Sequence, residues 1–292
     1  MMTWEAPIWL YLWLAGMAGG ACFATVLINA FSGGTHRSLV RLGLYVGVPL
    51  AVIGVLLLVV DLGMPLRFWH LMLLFKPLSA MSMGTWILFF YVAAGIIAII
   101  LWWGQSVMNL PKTGSLPAIA NVMTWAAFIF SILLMAYTGV LLASSNQPMW
   151  SGTILLPSLF LASAVSSGLG VVVLIAALTR LKGISAQTLT RLAEADAIVI
   201  VIEALLLVAF ALWLGNPQLS GAAQSLAILT SGPLAWPFWV GVALLALVIP
   251  LALDLVFWGK ERGALMAGMV SAGCVVLGGV FLRAVIVIGG QI

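Results

Sequence analysis

Residues 80–103 read AMSMGTWILFFYVAAGIIAIILWW, an apolar run without a single charged side chain. A helix needs about 20 such residues to cross a bilayer. The run is continuous and does not alternate with period two, so it reads as a membrane helix and not as a barrel strand. Seven more runs of the same kind flank it, at 7–31, 41–62, 118–143, 153–179, 195–214, 234–258 and 263–288. Gly and Pro recur within them, which membrane helices tolerate. The connectors are short and leave no room for a soluble domain. The expected fold is all-α, a polytopic transmembrane helix bundle of about eight spans forming one membrane domain.

Composition points the same way. Hydrophobic residues make up 64% of the 292 positions and charged residues 6%, too few charges to coat a surface in water. The sequence pI near 9.4 reflects Lys and Arg in the loops of one membrane face and not a nucleic-acid partner. Cys22 and Cys274 each sit inside an apolar run, which argues against a disulfide framework. The first apolar run lacks a basic flank and is too long for a secretory signal, so it reads as a mature helix.

The connectors set the expected topology. Arg37, Arg41, Lys112, Arg180, Lys182, Arg191, Lys260 and Arg262 fall on one side, against Arg67 and Lys76 on the side of the N-terminus. The positive-inside rule makes the first side cytoplasmic and places both termini on the extracytoplasmic side of an inner membrane. A faint internal repeat accompanies this pattern. PIWLYLWLAGMAGG (7–20) parallels PSLFLASAVSSGLG (157–170), and Pro77 to Trp86 parallels Pro233 to Trp239. Both pairs run in the same direction, which suits two parallel four-helix halves, 1–150 and 151–292. The alternative stays open that Gly, Pro and Trp simply recur in membrane helices.

Ionisable groups at membrane depth are costly and usually face the bundle interior or a wet cavity. Four stand out: Asp61 at the outer end of span two, Glu203 within span six, Asp254 toward the inner end of span seven and Arg283 in span eight. Pairing across helices or snorkelling to an interface would explain each structurally. That explanation suits Asp254, close to Lys260, better than Glu203, which has apolar neighbours on both sides. The second loop concentrates chemistry further: DLGMPLRFWH (61–70), then KPLS (76–79). A carboxylate, a guanidinium, an imidazole and two aromatics within one short stretch suit the rim of a pocket for an amphipathic aromatic ligand. They equally suit an interfacial aromatic belt. Trp4, Glu5 and Tyr137 lie at the same depth. His36 and His70 fall on opposite faces and cannot clamp one haem iron, and no Cys or His cluster suits zinc or an iron–sulfur centre. The expectation is a chain without haem or metal, so any redox metals belong to partners.

DLGMPLRFWHLM followed by KPLSAMSMGTWIL resembles the signature of the NrfD/PsrC-type (polysulfide reductase NrfD) membrane subunits. YLWLAGMAGGACF, AYTGVLL and FLRAVIVIGGQ are similar to further stretches of that family, so the resemblance touches most of the chain. It implies a quinone-interacting membrane anchor, with menaquinone or ubiquinone as the cofactor. It also implies a ferredoxin-like iron–sulfur subunit and a molybdopterin-type catalytic subunit docking on the outer face. By the same resemblance Tyr137 is a hydrogen-bond partner for a quinone oxygen. Asp61 and Arg67 form the polar pair of the loop, Arg283 is the last-helix arginine, and Glu5 and Trp4 stand where the first helix supplies polar groups.

Quinone reduction takes up two electrons and two protons, so such a pocket needs hydrogen-bond donors and a proton route. Arg67 offers preorganised positive charge, while Asp61 or His70 offers a proton relay. Asp61, Glu203 and Asp254 follow one another in depth as a possible proton path. An ion-coupled secondary transporter is the alternative, since spaced carboxylates and a repeat suit a midplane site. Against it, the polar groups concentrate at one face.

Overall fold

The computed structural model describes residues 6–61, 70, 76, 79–107, 114–145, 147–179, 184–216, 222–260 and 263–292, with the backbone alone for Asp61, 106–107 and 222–223. Among these there is no strand. Eight helices are long and apolar enough to cross a membrane, and the chain is a multi-pass integral membrane protein. In order they are α1 (Ala6–Phe31), α2 (Arg37–Asp61), α3 (Ala80–Val107), α4 (Ser115–Ala143), α5 (Leu155–Thr179), α6 (Ala186–Leu214), α8 (Pro237–Val256) and α9 (Ala264–Gly289). The short α7 (Ala222–Thr230) sits between α6 and α8.

Helix is dictated by the solvent. With no water in a bilayer core, each backbone N–H and C=O must find a partner within its own segment. The same rule corrects one expected boundary: α6 starts at Ala186, nine residues before the apolar run at 195. Its first turns carry Arg191 and Glu194, and Ser185 caps them by accepting a hydrogen bond from Thr188 N at 3.1 Å. Hydropathy marks where lipid begins, whereas the cap marks where the helix begins. The short α7 also went unpredicted, because nine residues carry too little pattern to stand out. In α8 the turns from Pro237 to Val248 are π-helical, and α-helix resumes at Ile249, one residue before Pro250. Pro250 lacks an N–H and forfeits a ladder bond, which makes that point a natural change of register.

Spans run alternately up and down. α1 begins and α9 ends on one face, called the terminal face below, where α2, α4 and α6 end and α3, α5 and α8 begin. The two central helices are α1 and α5, which cross with backbones almost touching. A Cβ at Gly20 would collide with the carbonyl of Ala164, and one at Gly168 with the backbone of Gly20 and Ala21. Lipid tails are as apolar as Leu, so close backbone approach at small residues does much of the work of helix association here. Around this crossing α1 packs on α2 and α4, and α5 packs on α6 and α9. α3 pairs with α4, and α8 with α9. We propose this crossing as the junction of the halves 1–150 and 151–292. Both cysteines are free, Cys22 in the core of the bundle.

Candidate functional site

Two sets of buried polar side chains occupy the bundle. The first lies among α1–α4 and is made of phenols. Tyr137 stands six residues before the end of α4 and is 8% exposed. Its ring fills the space that a Cβ at Gly84 of α3 would take. Tyr11 of α1 is close enough to Tyr137 for the two phenols to interact electrostatically, and it packs over Gly54 of α2, where a Cβ would stand 3.2 Å from its ring. Neither Tyr11 nor Tyr137 makes a side-chain hydrogen bond among the described residues. Tyr91, deeper in the same group, differs: its hydroxyl donates to Ala18 O at 2.8 Å.

A phenol in a mostly buried residue is a donor that gains from an acceptor, which makes Tyr137 the conspicuous group at this end. Asp61 is the last residue of α2 and so reaches the same face. Its side chain, together with Trp4, Glu5 and Arg67, lies outside the described residues. His70 is exposed and engaged in an interaction of its own.

The second set belongs to α5–α9 and is ionisable. Arg283 of α9 is 0% exposed. Its Nη1 donates to Ser163 Oγ at 2.7 Å and to Gly279 O at 3.2 Å, and its Nη2 donates to Phe160 O at 3.3 Å. The guanidinium carbon lies 5.3 Å from the Phe160 ring centroid. Gly16 of α1 backs it: a Cβ there would stand 3.1 Å from Nη2. Glu203 of α6 faces Ser163 and lies within electrostatic reach of Arg283. Arg283 is thus held by α5 and α9 with Glu203 as counter-charge, and its described contacts are not with the Tyr137 group. Only Nε lacks a partner among the described residues.

Toward the opposite face, Asp254 accepts a hydrogen bond from Ser271 Oγ at 3.0 Å. Pairing with Lys260, the structural explanation weighed for Asp254, is not what the fold does. The Lys260 ammonium lies 5.6 Å from the Phe257 ring centroid instead. Between Asp254 and Glu203 sits Asp196, 4% exposed and bordered by Ser166 of α5.

Sequence reading missed Asp196, because RLAEADA looks like the polar start of a helix at an interface. It also passed over Ser163, Ser166 and Ser271. The signal was available in part: serines at 163, 166 and 167 share a helical face, and seven residues, two turns, put Asp196 and Glu203 on one face of α6. Those two faces meet only in the folded bundle.

The geometry therefore offers a donor phenol near the terminal face, and a separate set of carboxyls and hydroxyls among α5–α9. Comparison with known proteins adds the relationship. The family model described as Polysulphide reductase, NrfD matches residues 1–292. The protein is 31% identical over 303 residues to the C subunit of polysulfide reductase from Wolinella succinogenes, with 99% of this sequence and 95% of that one aligned. It is 29% identical over 310 residues to protein NrfD of Escherichia coli strain K12, covering 100% and 96%. A protein NrfD homolog of Haemophilus influenzae is 30% identical over 274 residues, covering 86% and 82%.

Proposed function

Because the chain belongs to the NrfD polysulphide reductase family, we propose that it is the membrane anchor and quinone-binding subunit of a multi-subunit respiratory oxidoreductase. In this reading it links the quinone pool to an iron–sulfur partner, with a molybdopterin-type subunit beyond. The observation that carries it is Tyr137, a mostly buried phenol near the terminal face whose ring packs against Gly84 and whose hydroxyl has no acceptor among the described residues. A quinone, whether menaquinone or ubiquinone, offers the missing acceptor on a flat apolar ring, and its chemistry is the exchange of two electrons and two protons. The residues present fit that group. Gly84 leaves the space for the Tyr137 ring, Tyr11 supplies a second phenol, and Asp61 brings a carboxyl to the same face.

Each side chain then has a task. Tyr137 orients one carbonyl by donating its O–H, and Tyr11 walls the site and excludes water. Arg67 supplies positive charge where negative charge develops, and Asp61 or His70 carries protons between the pocket and the surface. The resemblance to the family also assigns Trp4 and Glu5 to the pocket, though both lie outside the described residues. Arg283 acts one step back: with Glu203 it clamps α5, α6 and α9, and through Gly16 it sets the position of α1. Electron exchange across this geometry requires the partner to dock on the terminal face, with both chain ends on the extracytoplasmic side. Glu203 and Asp254 extend the proton path across the bundle. That same line of carboxyls is the observation favouring the alternative, an ion-coupled carrier.

The test is quinone retention and saturable binding of a quinol-site inhibitor by the complex purified with its native partners, repeated for Tyr137→Phe and Arg67→Gln. Binding in the wild type and its loss in both variants, with the complex intact, is the expected result. Absence of quinone and of any iron–sulfur partner, with both variants unchanged, would transfer the assignment to the ion-coupled carrier.

A further inference from the structure

Asp196 is buried within a membrane helix, yet its Oδ1 has no hydrogen-bond partner among the described residues, and neither does Oγ of the neighbouring Ser166. Both residues are at least nine-tenths buried. An ionised carboxylate left unpartnered at such depth costs several kcal/mol, so a group placed there asks for a cation.

The packing around Asp196 is narrow. A narrow seam between α5, α6 and α9 is lined by Asp196 and Ser271, with Ala193 and Gly268 on its sides. Ala193 and Gly268 also line a second, more open crevice that contains Asp254, Thr190 and Glu194. The two spaces share Ala193 and Gly268 as walls, and the second lies toward the face opposite the chain termini. Small side chains create the seam: a Cβ at Gly268 would already stand 3.2 Å from that of Ala193.

Its width suits a chain of hydrogen bonds better than a column of water. Ser271 supplies such a link, since its hydroxyl donates to Asp254 Oδ2 while the residue also borders the Asp196 seam. Above Asp196 the line is interrupted. Ile200, fully buried, occupies the turn of α6 between Asp196 and Glu203, a rise of about 10 Å in all.

We infer that Asp196 is a proton-loading site fed from the opposite face through Asp254 and Ser271, and closed toward Glu203 by Ile200. In the loading step a hydronium ion at the crevice mouth gives its proton to Asp254 and leaves water. The Ser271 hydroxyl, which makes no hydrogen bond to Asp196 Oδ1 at rest, first turns from Asp254 Oδ2 toward Asp196. The Asp254 proton then passes to the Ser271 oxygen as the Ser271 proton passes to Asp196 Oδ1. One O–H bond forms at Asp196, one breaks at the hydronium, and no electron moves.

Among the described residues, the charged and titratable groups facing this route are few. Asp254 comes from α8 and Glu203 from α6 itself, with Arg283 of α9 beyond Glu203. At the mouth Glu194 accepts a hydrogen bond from Gly259 N at 3.1 Å, while Arg191 is exposed and Lys260 rests over Phe257. This site goes beyond the quinone reading and does not depend on it.

Infrared spectroscopy of the purified full complex in lipid tests the site directly. At neutral pH the protonated carboxyl of Asp196 should give a carbonyl stretch that shifts in D2O, disappears in Asp196→Asn, and survives in Glu203→Gln. Gly268→Val, which plugs the seam, should slow the D2O shift while leaving the band in place. Should Asp196→Asn fail to assemble, Asp196→Glu keeps the carboxyl, and a displaced carbonyl band is then expected. A spectrum unchanged in Asp196→Asn, or an unshifted band in Asp196→Glu, overturns the site. Saturable loss of the band on adding sodium at constant pH overturns the proton assignment in favour of a monovalent metal cation. Quinol-site inhibitor binding on the same samples reads the quinone function separately, so either can fail alone.

Discussion

The helices α1–α4 and α5–α9 solve the same packing problem with different polar cargo. All four tyrosines of the protein lie in the first group, and three of them, Tyr11, Tyr91 and Tyr137, are buried. The buried charged residues, Asp196, Glu203, Asp254 and Arg283, all lie in the second among the described residues. A phenol is neutral and needs one acceptor, so it can wait beside an apolar wall for a ligand. A buried carboxyl or guanidinium needs compensation at all times, which explains why Arg283 has three bonds and a counter-charge. The difference separates a place for binding from a place for moving or neutralising charge.

That contrast can be broken most forcefully at Arg283. Arg283→Met leaves Glu203 buried without its counter-charge and should cost about 3–5 kcal/mol of stability, read as a fall in the thermal midpoint of the purified complex. Adding Glu203→Gln should recover part of the loss. If it recovers nothing, the two residues are not a compensated pair.

The crossing shared by both groups comes next. Gly20→Ala forces the α1 and α5 backbones apart and should cost about 1–3 kcal/mol, with protease sensitivity rising on both sides of residue 150. A defect confined to one side would deny that the crossing is a common junction.

A smaller effect sharpens the binding side of the comparison. Gly84→Ala displaces the Tyr137 ring, whose far end can move, and should weaken quinol-site inhibitor binding about tenfold, the worth of one hydrogen bond, while costing about 1 kcal/mol of stability. The mildest change is Tyr91→Phe. It removes the donor to Ala18 O and should cost about 1 kcal/mol of stability without altering inhibitor binding, which would set Tyr91 apart from Tyr137 as a structural phenol.

Much of the fold was legible in advance because lipid enforces a simple code. Uncharged runs such as 80–103 had to be helices, and each of the eight expected runs overlaps one of the eight long apolar helices. The candidate site was legible only in part. Tyr137, Glu203, Asp254 and Arg283 stood out as polar groups in apolar runs. Asp196 did not, since three polar or charged residues close before it made the segment look interfacial, and nothing local shows that α5 and α9 bury it.

The sequence by itself determined that this protein is a membrane helix bundle, and its motifs pointed to the family, because hydrophobic length and local signatures are properties of single segments. Only the tertiary structure decided that Tyr137 lies over Gly84, that Arg283 answers to Ser163 and Glu203 and not to the phenols, and that Asp254 pairs with Ser271 and not with Lys260. Those partnerships join residues far apart in the chain. They depend on helix rotation and on close approach at glycines such as Gly20 and Gly168, which arise only when whole faces pack together.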